Sequence, residues 1–130
     1  MTQHVTRPKP EKNRLRRTMM FMNAQKPGLI KDAYIYGADT IMLDLEDAVA
    51  ESQKDAARFS LYHALPTIDY GDTEVLGRIN GLDTPHWQED IRVAVAGGAD
   101  GIRIAKCESA QDVKTVEEHI LMAERECGIE

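Results

Sequence analysis

Thr40-Ile41-Met42-Leu43-Asp44-Leu45-Glu46-Asp47 is the stretch on which the reading of this chain turns. Its first half reads as a buried strand. Its second half sets three carboxylates within four positions, where the strand gives way to a loop. Burying an unpaired carboxylate costs several kcal/mol, roughly. The cluster is therefore either a solvated loop that caps the next helix, or it faces a metal ion, an arginine or a substrate. In parallel α/β folds the carboxyl ends of the strands are where sites are assembled.

Working outward, the runs 18–22, 74–80 and 101–105 read as further strands beside 40–45. Each is followed by helical spacing, over 27–36, 52–65, 85–96 and 110–126. Pro27 stands near the start of the first helix and Pro66 closes the second. The expected apolar stripes are Ala56, Ala57, Phe59, Leu61 and Leu65 on the second helix, and Trp87, Ile91 and Val95 on the third. Val113, Val116, Ile120, Met122 and Ala123 form that of the fourth, and Met19, Met20 and Met22 are expected in the core. Strict strand–helix alternation implies a parallel sheet with right-handed crossovers. An internal echo agrees: Gly37-Ala38-Asp39 precedes the second strand and Gly98-Ala99-Asp100 the fourth. In each, a glycine can end a helix in a left-handed turn.

Composition narrows the class. The chain has 130 residues, with 42% hydrophobic and 29% charged content, and a formal net charge of −6. These values suit one soluble globular domain. Six of the 16 basic residues but one of the 22 acidic ones fall in residues 1–17. That segment, with Pro8 and Pro10, is expected to be a disordered basic arm preceding a domain over 18–130. The acidic body argues against nucleic acid as a partner. No apolar h-region follows the basic arm, and no stretch is long enough to span a membrane. Cys107 and Cys127 have no metal or redox spacing, which suits reduced thiols in the cytoplasm.

In a parallel sheet, Asp44, Glu46 and Asp47, then Arg78, then Lys106 with Glu108 would all lie on one rim. Arg78 is the most informative, because it sits inside a strand, where a guanidinium needs an anion. Its planar fork suits a carboxylate. That carboxylate could belong to a substrate or to the Asp44–Asp47 segment. The histidines (His4, His63, His86, His119) have no nucleophile or metal spacing, and there is no glycine-rich phosphate loop.

Leu15-Arg16-Arg17-Thr18-Met19-Met20-Phe21, Asp44-Leu45-Glu46-Asp47-Ala48-Val49, Lys54-Asp55-Ala56-Ala57-Arg58, Arg78-Ile79-Asn80-Gly81-Leu82-Asp83, then Gly98-Ala99-Asp100-Gly101-Ile102-Arg103 and Lys106 follow in this order. The order resembles the acyl-CoA-type lyases and aldolases, and within them the citrate lyase beta subunits. Tyr62-His63-Ala64-Leu65 favours that branch over the malyl-CoA lyases. The resemblance covers nearly everything after the arm. It departs at Met22-Asn23-Ala24-Gln25-Lys26, where the family has a Pro-Gly-Asn-like loop. It departs again at Gly77, where the family has valine and packing behind Arg78 is expected to be looser.

The resemblance implies a (β/α)₈ TIM barrel of which this chain holds about four βα units. It implies magnesium-dependent cleavage of a carbon–carbon bond in a citryl thioester on an acyl carrier protein, giving oxaloacetate and acetyl carrier. Glu46 and Asp47 would be catalytic. Arg78, with Arg17 and Lys106 on the same rim, would bind the substrate. Asp44, Glu46 and Asp47 would stand behind the magnesium rather than ligate it. A whole barrel takes about 250 residues, so residues 18–130 would be an amino-terminal half, with the direct metal ligands beyond Glu130. Partners would be the carrier-bound substrate and other citrate lyase subunits in an oligomer. Two alternatives stay open: a related acyl-CoA ester lyase, or a non-catalytic remnant that only associates with partner subunits. A phosphoacceptor receiver domain would need an aspartate ending its third strand, where Arg78 stands.

Overall fold

A computed structural model describes residues 13–129. Four strands, β1 (Met19–Asn23), β2 (Thr40–Asp44), β3 (Glu74–Arg78) and β4 (Gly101–Arg103), form one sheet in the order β1-β2-β3-β4. Every pairing is parallel, as the alternation of elements required. The helices are α1 (Pro27–Ile30), α2 (Lys54–Ala64), α3 (Trp87–Gly97) and α4 (Ala110–Cys127). Among the described residues no helix is long and apolar enough to cross a membrane.

The first expected helix is not continuous. It breaks into α1 and a 3-10 turn over Ala33–Tyr36, ended by Gly37 in the left-handed region at φ 69°. An α-helix of four residues has barely repaid its nucleation. The echo in the sequence is a structural device. Gly37 and Gly98 (φ 87°) both end their segments left-handed. Each following aspartate then turns back onto a neighbouring strand. Asp39 accepts from the N–H groups of Arg17 and Thr18, and Asp100 accepts from Val75 N at 2.8 Å.

One face of the sheet carries Met20, Met22, Ile41, Leu43, Val75 and Ile102, which pack on Ala57, Leu61, Leu65 and Ala94 of the helix layer. Each fully buried Leu or Ile here is worth about 2 kcal/mol. A second cluster joins Ile79, Trp87, Ile91, Val116 and Ala123 between α3 and α4. Several expected core residues lie outside. Ala56 and Phe59 of α2 are exposed, as are Val113 and Met122 of α4, and Met19 of β1 is on the margin of exposure. The buried stripe of α2 is Lys54, Ala57, Leu61 and Ala64. Phe59 falls off that stripe and packs on His63 instead, with ring centroids 4.3 Å apart. At Gly77 an added Cβ would meet Ala94 at 3.5 Å and Leu61 at 3.7 Å, which is ordinary contact. The loosening expected behind Arg78 is thus the space of a methyl group.

Residues 1–12 of the expected disordered arm lie outside the described residues. Its last part is not free. Arg14 donates to the Asp39 and Asp72 carbonyls at 2.9 Å each. Arg16 grips Glu74 with both prongs at 2.8 and 2.7 Å. Arg17 does the same to Asp39 at 3.1 and 3.0 Å. Asp39 and Glu74 stand at the amino ends of β2 and β3, so this clasp closes the end of the sheet away from the rim.

The clasp has a pH signature. Hydrogen bonds from Arg17 hold the Asp39 carboxyl down at about 2. The hydrogen bonds from Arg16 lower that of Glu74. A carboxyl lowered by folding adds stability above its unfolded value, about 4.3 for glutamate. That stability is lost as pH falls through the folded value. Arg16→Met is therefore expected to lower Tm by a constant amount above about pH 5, and the gap should close on acidification. Thermal melts of both proteins across pH check this.

Candidate functional site at the carboxyl ends of the strands

The parallel register places Asp44, the last residue of β2, directly beside Arg78, the last residue of β3. Both side chains lie on the sheet face away from the helices. Arg78 Nε and Nη2 meet the two oxygens of Asp44 at 2.8 and 2.6 Å. The Asp44 oxygens also accept from Glu46 N at 2.9 Å and Ala48 N at 3.2 Å. Four donors use the acceptor capacity of one carboxylate. They also wrap the chain into a tight turn after the strand.

Burial works against the charge on Asp44. Arg78 and the two backbone N–H groups overcome it and hold the carboxyl below its usual range. The Asp44 hydrogen bonds in turn raise the Arg78 guanidinium further above its ordinary value. The ring of Phe21, on β1, lies 4.9 Å from the guanidinium carbon, adding a cation–π contact on that side.

Glu46 is buried and sits between two cations. Its Oε2 lies 3.3 Å from Arg78 Nη1, and its Oε1 lies 3.4 Å from Lys106 Nζ. Oε2 also accepts from Asp47 N at 2.9 Å. Lys106 follows β4 in the left-handed region at φ 52°, a conformation uncommon for a residue with a side chain. Its side chain is largely exposed and reaches the rim. A cavity of about 250 Å³ opens beside it, lined by Gly81, Leu82, Asp83 and Glu108 among others. Asp47 is exposed next to Glu46.

The expected site residues therefore separate. Asp44, Glu46, Arg78 and Lys106 converge, with Asp47 at the edge. Arg17 does not. It precedes β1, so a parallel sheet carries it to the opposite end, on Asp39. The choice left open for Arg78 is also decided in part: its fork is held by Asp44 of the chain itself.

The sequence reading assigned no role to Lys54, Arg58, Asn80 or Asp90. Lys54 is buried, with its Nζ on the carbonyls of Leu45 and Glu46 at 2.9 and 2.7 Å. Asp90 is fully buried and accepts from Arg58 at 3.0 Å and from Asn80 N and Nδ2 at 2.8 and 2.6 Å. Lys54 and Arg58 are one helical turn apart, and the resembling Lys54–Arg58 segment was the available signal.

Magnesium tests the donor set. The ion demands near-octahedral oxygen ligands and gives up water reluctantly. Asp44 has no lone pair to spare, and Glu46 is engaged by two cations. Among the described residues no three His, Cys, Asp or Glu side chains converge on one point. These residues do not fit as a direct magnesium site.

Removing Arg78 would strand Asp44 as an uncompensated buried charge. Arg78→Met is expected to cost about 3 kcal/mol. Arg78→Lys, which keeps the charge but loses the fork, should cost less. Urea unfolding of the three proteins measures both.

Residues 17–130 match the family described as HpcH/HpaI aldolase/citrate lyase. The chain is 52% identical over 115 residues to the citrate lyase subunit beta of Leuconostoc mesenteroides subsp. cremoris, covering 88% of this chain and 38% of that protein. It is 37% identical over 122 residues to the L-malyl-CoA/beta-methylmalyl-CoA lyase of Cereibacter sphaeroides, covering 92% of this chain and 38% of that one. Protein CitE from Mycobacterium tuberculosis, solved in complex with magnesium and pyruvate, superposes with a TM-score of 0.66 at 31% identity. That match covers 78% of this chain and 42% of the solved one. The chain thus spans well under half the length of these relatives. Its parallel sheet with flanking helices is the α/β architecture of their TIM-barrel type. On the match over residues 17–130, the chain belongs to the HpcH/HpaI aldolase/citrate lyase family.

Proposed function

We propose that this chain forms the carboxylate-binding part of a magnesium-dependent carbon–carbon lyase. The substrate is a citryl thioester on an acyl carrier protein, and the products are oxaloacetate and the acetyl carrier. The observation that carries the reading is the Arg78–Glu46–Lys106 arrangement. Two cations, one at the end of β3 and one in the turn after β4, share one carboxylate at 3.3 and 3.4 Å. A substrate carboxylate can take the place Glu46 holds, while the grip of Asp44 on the other edge of Arg78 keeps the guanidinium aimed. Identity of 52% to a citrate lyase subunit beta supports the choice of substrate.

The chemistry follows from that exchange. Glu46, released from its cations, or Asp47 beside it, takes the proton of the substrate hydroxyl. The oxygen lone pair closes to a ketone, the adjacent carbon–carbon bond breaks, and its electron pair moves onto the acetyl carbon. The thioester enolate so formed gains a proton to give the acetyl group. Arg78 and Lys106 hold the departing keto acid in place throughout. The magnesium ligands would come from outside the described residues. The setting proposed is a cytoplasmic, oligomeric citrate lyase with its carrier and other subunits.

A second reading, lysis of an acyl-CoA ester, is favoured by the 37% identity to a malyl-CoA lyase.

A chimera tests these readings. Residues 17–130 would replace the matching segment of the Leuconostoc subunit. The chimera is expected to release oxaloacetate from citryl carrier faster than glyoxylate from malyl-CoA. A folded but inactive chimera would overturn the proposal, and the reverse preference would favour the second reading. Arg78→Lys in the chimera should lower kcat/KM by about 100-fold, from loss of the bidentate geometry.

The 130-residue chain by itself is expected to show no turnover with magnesium, since its described residues lack a ligand set. A coupled reductase assay for oxaloacetate reads this. Turnover near that of the Leuconostoc subunit would count against the magnesium assignment.

A further inference from the structure

Lys54 is a buried amine that the proposed chemistry does not use. Its Nζ donates to two backbone carbonyls, Leu45 O at 2.9 Å and Glu46 O at 2.7 Å. Both belong to the turn that carries the site carboxylates. Arg58, one turn further along α2, reaches Asp90, which holds the backbone and side-chain N–H groups of Asn80 just after Arg78. One helix end therefore supports the loops after β2 and β3 together.

We infer that Lys54 is a positioning residue for Glu46. The Glu46 carbonyl points back to Lys54, while its carboxylate points out to Arg78 and Lys106. Anchoring the carbonyl decides where the carboxylate stands. Charge supports the same role. Asp44 and Glu46 are met by Arg78 and Lys106 through their side chains, Asp47 stands exposed beside them, and Lys54 meets the same turn through its backbone. Without the Lys54 ammonium the rim has an excess of negative charge, which opposes an anionic substrate. The effect on substrate rests on the carboxylate exchange proposed above; the effect on Glu46 does not.

Two measurements on the folded chain separate positioning from mere stability. The first is amide hydrogen exchange at Asp47, whose N–H donates to Glu46 Oε2, and at Val49, whose N–H shares the Glu46 carbonyl. The second is binding of oxaloacetate followed by NMR. Arg16→Met, at the opposite end of the sheet, is the control for general destabilisation.

In Lys54→Met both amides are expected to exchange about tenfold faster than in Arg16→Met at matched global stability, because a charged anchor has gone. Oxaloacetate binding should weaken about fivefold, with Lys54→Arg, which keeps the charge, intermediate. Should Lys54→Met fail to fold, Lys54→Gln, which keeps a donor without the charge, takes its place. Equal exchange in the Lys54 and Arg16 variants would overturn the inference. If the wild-type chain binds no oxaloacetate, the carboxylate exchange fails by itself, and the amide comparison still decides the role of Lys54.

Discussion

The pairing of Asp44 with Arg78 is the contact on which the rest of this structure depends. Two ionised groups stand side by side at the end of adjacent strands, one almost wholly buried. A buried ion pair is weak evidence for stability, since desolvation consumes much of the attraction. What it supplies here is register. Sliding β3 by one residue would turn Arg78 to the helix face and leave Asp44 without its partner. The same rung orients the turn after β2, because the oxygens that hold Arg78 also accept from Glu46 N and Ala48 N.

The opposite end of the sheet uses the same device. Thr40 pairs in register with Glu74 and donates to it at 2.9 Å, while Arg16 closes on that carboxylate. Between these polar rungs lies an apolar middle, Met42 beside Leu76. One face is thus charged at both ends and apolar between, and the other face is apolar against the helices. The two ends serve different purposes. At the amino end the acids are satisfied by arginines that precede β1. At the carboxyl end Arg78 has a further edge on Glu46 beyond its grip on Asp44, and Lys106 joins it from the turn after β4. The sharing of one carboxylate by two cations is the feature on which the proposed function rests.

The supports of the site lie behind it, in the helix layer. Lys54 and Arg58 bury cationic ends to hold loops, and Asp90 holds Asn80. None of these groups faces the rim. Such groups are costly to place, and each is held by at least two hydrogen bonds.

The sequence by itself determined the alternation of strand and helix, the parallel sheet, and the gathering of Asp44, Glu46, Arg78 and Lys106 on one rim. These follow from periodicity and from chain direction, since whatever follows a strand in a parallel sheet must lie at its carboxyl end. The same rule, applied to Arg17 before β1, places it at the far end; the resemblance suggested the rim, and chain direction prevails. Tertiary structure alone decided the partners. Which acid meets the Arg78 fork depends on the strand register. That Phe59 faces outward depends on how α2 is rotated on the sheet. That Lys54 points inward depends on two carbonyls nine and eight residues away in sequence. Spacing shows that a charge lies near a strand end, but only the packed chain shows which neighbour neutralises it.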